Sequence, residues 1–262
     1  MQSTQRHLFA LGTAAVALVA TGCATIRVTN PDAQKIKKVA LISVYAEDRL
    51  LDDSTHSGLG LNAASLAMDA AGNGHDFRIK LANRVYQAFT EKAKQRLHWD
   101  VIPAGQVESN PAYKAAANQL KQRYIATSSL FGNYATPNGF SPMNIQDADK
   151  TPAEAQTLRD LCGKLGVDAV ATVEFRTSYK SAIAIAGMGG AYPHTAVAIN
   201  VFTKNGVMAV KSWEVANQNK QEGDMIGMVA GAIPMTDGTE KVFWETLNTS
   251  LNEKFDKIKS GL

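Results

Sequence analysis

The chain has 262 residues, with 27 Lys and Arg against 24 Asp and Glu, and 45% of its residues are hydrophobic. This is ample for a hydrophobic core in one ordinary domain with insertions. The charge is close to balanced and the lysines are scattered instead of forming a stripe, so nothing electrostatic argues for a nucleic-acid partner.

The first two dozen residues fix the compartment. Arg6 and His7 follow a polar start, Leu8 to Ala20 is apolar and uncharged, and Ala20-Thr21-Gly22 brings small residues up to Cys23. This is the build of a secretory signal, and its apolar run is shorter than the roughly 20 residues a membrane-crossing helix needs. The order basic start, short apolar core, small residues, cysteine resembles the bacterial lipoprotein signal, although Ala20 stands where that pattern usually has Leu. The resemblance implies that residues 1–22 are removed, that Cys23 is diacylated, and that the membrane is a partner through this lipid. Ala24, not Asp, follows the cysteine, which in that class implies delivery to the cell outer membrane with the domain facing the periplasm. Arg6 is the sole Lys or Arg in the segment removed, so 26 basic side chains would remain against 24 acidic ones. With Cys23 acylated, Cys162 has no partner for an intramolecular disulfide.

Residues 23–36 read as a tether, because Asn30-Pro31-Asp32 is a turn signal with little periodic apolar content around it. Residues 37–262 then read as a single envelope domain with long apolar loops. Lys38 to Val44 is a near-continuous β-prone apolar run, the pattern of a strand covered on both faces. A long excursion follows, acidic first (Glu47, Asp48, Asp52, Asp53, with His56), then small and apolar from Gly58 to Gly72. From Asp76 the spacing of Ile79, Ala82, Val85, Tyr86, Phe89, Ala93 and Leu97 predicts an amphipathic helix, with Arg78, Lys80 and Arg84 largely on its polar side.

Asp100 to Val107 reads as a short strand interrupted by Pro103, and Asn110-Pro111 as a cap and first turn of a helix carrying Tyr113, Ala117, Leu120 and Tyr124. Residues 127–150 read as irregular. Thr151-Pro152-Ala153-Glu154 is a capping box opening a helix through Leu158, Leu161, Cys162 and Leu165, which Gly166 can end in the left-handed conformation. Asp168 to Tyr179 predicts a strand, and Thr195 to Thr203 with Val207 to Ala216 a hairpin turning through Lys204-Asn205-Gly206. Thr239 to Lys259 predicts a closing helix, with Lys254, Lys257 and Lys259 near its negative end. Together these predict an α/β (α+β) class: one three-layer-like domain with a mixed sheet of about five strands, a C-terminal hairpin and packing helices.

That order of elements, together with Leu165-Gly166-Val167-Asp168-Ala169-Val170 leading from helix to strand, resembles an envelope-protein superfamily. It includes the curli secretion-channel lipoprotein, the amino-terminal domain of the Tol translocation protein and the lipoprotein activators of penicillin-binding proteins. The resemblance spans roughly residues 37–260 and implies a role in binding, scaffolding or oligomerising, with no catalytic residues.

No catalytic residue, cofactor or metal is predicted. Gly187-Met188-Gly189-Gly190 lacks the glycine spacing and the following helix of a dinucleotide fingerprint, and His7, His56, His75, His98 and His194 are far apart in the chain. The acidic loop 47–56 would sit beyond the carboxyl end of a central strand, where open α/β sheets bind ligands and oxygen-rich clusters suit hard cations; a solvated loop is the plainer reading. Cys162 among leucines reads as core. More unusual are three small, apolar, glycine-bearing connections, Gly58 to Gly72, Ala182 to Tyr192 and Met225 to Pro234. If they meet on one side of the sheet they form either a satellite core or a patch for a protein partner or self-association. The expected function is therefore a non-enzymatic lipoprotein that scaffolds or regulates an envelope assembly. Alternatives are an oligomeric secretion-channel-type lipoprotein and a periplasmic ligand-binding module or hydrolase using the loop after the first strand.

Overall fold

Two long antiparallel neighbours, β6 (Ala169–Ile185) and β7 (Met188–Thr203), run side by side through the middle of a mixed sheet. The computed structural model describes residues 26–29, 31–47, 51–52, 73–128, 134–185, 188–212, 221–229 and 233–262. Its other strands are β1 (Ile26–Val28), β2 (Lys38–Glu47), β3 (Leu51–Asp52), β4 (Asp100–Val101), β5 (Tyr134–Ala135), β8 (Met208–Ser212), β9 (Gln221–Glu222) and β10 (Ile226–Val229). The main order is β1-β8-β7-β6-β2-β4, with β3 added to β6, β5 to β2, and β9 and β10 to β7. The mixed α/β class is as expected, and the sheet is larger than the five strands expected because short segments extend it.

Strand β2 is apolar on both faces because both are covered. Val39, Leu41, Val44 and Ala46 join one cluster, while Ala40 and Ile42 join another. The first cluster lies under α1 (Asn73–Leu97) and α5 (Asp237–Gly261), which meet through edge-on ring pairs, Phe77 with Phe243 at 5.5 Å and Phe89 with Phe255 at 5.4 Å. The second lies under α2 (Ala104–Glu108), α3 (Pro111–Ser128) and α4 (Pro152–Leu165). Strand β2 pairs in parallel with both β4 and β6, so α1 is the crossover the parallel pairing requires.

Several expectations change. The stretch 23–36 is not a free tether from Ile26 onward: β1 pairs with β8, and Ala33 and Ile36 are core residues at 1% and 5% exposure. Asp100 to Val107 is a two-residue strand followed by a helix, since Pro103 stops the ladder and caps the turn that follows. Thr151 does cap α4, but its side chain makes no capping hydrogen bond. At the other end Gly166 is left-handed at φ 65°, with Val167 N–H donating to Cys162 O at 3.1 Å, the closure expected of that glycine. Arg78 does not lie on a polar face; it is fully buried, and Lys254 is 6% exposed. The helical period alone could not show that α1 and α5 are covered on more than one side.

Asp168 joins three elements at the base of the sheet. Its Oδ2 accepts from the backbone N–H of Lys37 (3.1 Å) and Lys38 (3.0 Å), and its Oδ1 from Lys204 Nζ at 2.8 Å. Its backbone N–H donates to Lys38 O, and Lys204 N–H to Asp168 O, both at 2.8 Å. The carboxylate therefore fastens the start of β2, the start of β6 and the β7–β8 turn, where Gly206 is left-handed at φ 87°. The hydrogen bond from Lys204, together with those from the two backbone amides, holds its carboxyl below the usual carboxylate range. A depressed folded-state pKa stabilises above the unfolded-state value and loses that contribution as pH falls through the folded one. Asp168→Asn is expected to lower the unfolding free energy near neutral pH by about 1–3 kcal/mol and to flatten the loss of stability below roughly pH 4, read by urea titrations across pH.

Candidate functional site

The β6–β7 ladder does not stop where the helices of the second layer end. It continues through Lys180↔Tyr192 and Ser181↔Ala191, shifts register, and resumes at Ala184↔Gly189 and Ile185↔Met188. Within the apolar segment 182–192, residues 182–185 and 188–192 are thus strand, not irregular. β-Branched content read the strand only to Tyr179, because the small residues beyond it have low β propensity and are held by pairing on both sides. On the free edge of β7, β9 pairs at His194↔Glu222 and Thr195↔Gln221, and β10 at Ile226↔Ala191 through Val229↔Met188. On the free edge of β6, Leu51 and Asp52 of β3 pair with Ser178 and Tyr179.

Two of the three apolar connections therefore come together, 182–192 with 225–234, while 58–72 lies outside the described residues. One part of their junction is core. Ala191, Ile226, Met228 and Ile233 are at most 8% exposed and belong to the same cluster as Phe243 and Leu247 of α5. The other part faces out. Met225 is 60% exposed, the large hydrophobic residue standing out among the described residues, and it lies across Gly190, where an added Cβ would come within 2.5 Å of its sulfur. A groove of about 380 Å3 runs beside it between β10 and the start of α5, bordered by Met225, Gly227, Pro234 and Val242.

Below this groove a polar seam crosses the otherwise apolar layer between sheet and α5. Thr195 Oγ1 and Ser250 Oγ share a hydrogen bond at 3.0 Å, Ser250 Oγ also donates to Thr195 O at 3.3 Å, and Thr177 is the cross-strand partner of Thr195. Lys254 follows one turn after Ser250, and burial pushes its ammonium down to about 8. The sequence gives little sign of this seam, since Ser250 and Lys254 look like ordinary helix-surface residues until the sheet is laid against them.

The other candidates do not assemble into a site among the described residues. Cys23 lies outside them, as do Asp48, Asp53 and His56; Glu47 ends β2 and Asp52 belongs to β3. No group of three or more His, Cys, Asp or Glu is placed to hold a metal ion among the described residues. His194 Nε2 lies 3.2 Å from Glu222 Oε2, an ion pair across β7 and β9 when the imidazole is protonated. Cys162 is fully buried in the second cluster, and burial pushes its thiol up to about 12.

No family model matches the chain, and no curated protein matches it. Two of the solved structures it is similar to are the following. Lipoprotein GNA1162 from Neisseria meningitidis is 13% identical with a TM-score of 0.29, over 84% of this chain and 99% of the other. Hypothetical protein CT253 from Chlamydia trachomatis is 12% identical with a TM-score of 0.29, over 86% of this chain and 94% of the other. At those scores neither likeness bears on what this chain does.

Burial separates the two methionines of this junction, Met228 at 5% exposure and Met225 at 60%. Met228→Asp places a carboxylate in the core and is expected to cost several kcal/mol, whereas Met225→Asp is expected to stay within about 0.5 kcal/mol of the parent. Thermal midpoints of the two variants check this ordering. The thiol of Cys162 is expected to resist labelling at pH 7 until the chain unfolds, and Cys162→Ala to cost about 1–3 kcal/mol without changing the fold, both readable by thiol titration during denaturation.

Proposed function

We propose that this chain is an outer-membrane lipoprotein, anchored by acylation of Cys23, whose domain scaffolds or regulates an assembly of the cell envelope without catalysing a reaction. The observation that carries the reading is the run from Arg6 through the apolar core Leu8–Ala20 to Cys23, directly ahead of the strand that begins at Ile26. Diacylation together with an amino-terminal acyl chain supplies far more buried hydrocarbon than the single chain that gives only marginal membrane binding. The flank built by β9, β10 and the start of α5 supports the binding half of the reading, because it presents the exposed Met225 beside a groove that Pro234 and Val242 line together with Thr236 and Thr239.

One observation favours self-association as a second reading. Strand β10 pairs only with β7 among the described strands, which leaves an edge able to accept another strand. Light scattering of the detergent-solubilised protein separates the two: a monomer removes the oligomeric reading, and a closed oligomer favours it.

Cys23→Ser is expected to leave the protein unprocessed or in the soluble fraction, while the parent sediments with outer membranes and yields an acylated amino-terminal peptide by mass spectrometry. Equal fractionation and migration of the two proteins would overturn the lipoprotein reading.

A further inference from the structure

We draw no further inference here: the strongest candidate, the groove between β10 and the start of α5 beside the exposed Met225, carries nothing because nothing in the structure shows what covers it.

Discussion

The ladder between β6 and β7 is the constraint on which the rest of the architecture depends. It runs from Ala169↔Thr203 at the base to Ile185↔Met188 at the turn, far longer than the five or six residues of an ordinary strand. At its base β7 pairs with β8 and β6 with β2, so the sheet spreads wide enough to be covered by helices on both faces. Toward the turn the same two strands gather β3 on one side and β9 and β10 on the other. The base is thus a three-layer core, and the far end packs on one face against α5.

Chain direction at the base is held by polar chemistry instead of by packing. Parallel pairing of β2 with β6 needs the two strand starts to be brought level, and the carboxylate of Asp168 does this by accepting from the amides that open β2. The same residue restrains the β7–β8 turn through Lys204. This gives a physical reason for the Gly166-Val167-Asp168 order: glycine ends α4 in the left-handed conformation, valine packs, and aspartate fastens three elements at once.

At the far end the same small residues serve two purposes. Gly190 lets Met225 lie across β7, and Gly223 brings β9 against Thr246 of α5 and Pro193 of β7. Close approach of this kind buries Ile226 and Met228 while leaving Met225 outside, which is why one apolar segment is partly core and partly surface. The polar seam of Thr195, Ser250 and Lys254 beneath it interrupts an apolar layer, and its cost in desolvation is offset in part by the Thr195–Ser250 hydrogen bonds.

The sequence by itself determined the buried strand Lys38 to Val44, the helices opening at Asn110-Pro111 and Thr151-Pro152, the closing helix expected from Thr239, the Asn205-Gly206 hairpin turn and the core position of Cys162. Each is set by local chemistry: hydrophobic period, a cap, a turn residue, or an apolar run covered on both faces. Tertiary structure alone decided that β1 and the stretch Ala33 to Ile36 are folded in, that residues 180–185 and 188–191 lie in paired strands and that β10 joins them. It also decided that Arg78 and Lys254 are buried while Met225 is not. Those outcomes depend on partners distant in the chain. A segment of Ala, Gly and Ile has no preference strong enough to choose between loop and strand until a neighbouring strand supplies its hydrogen bonds, and a helix residue has no burial until the sheet is laid against it.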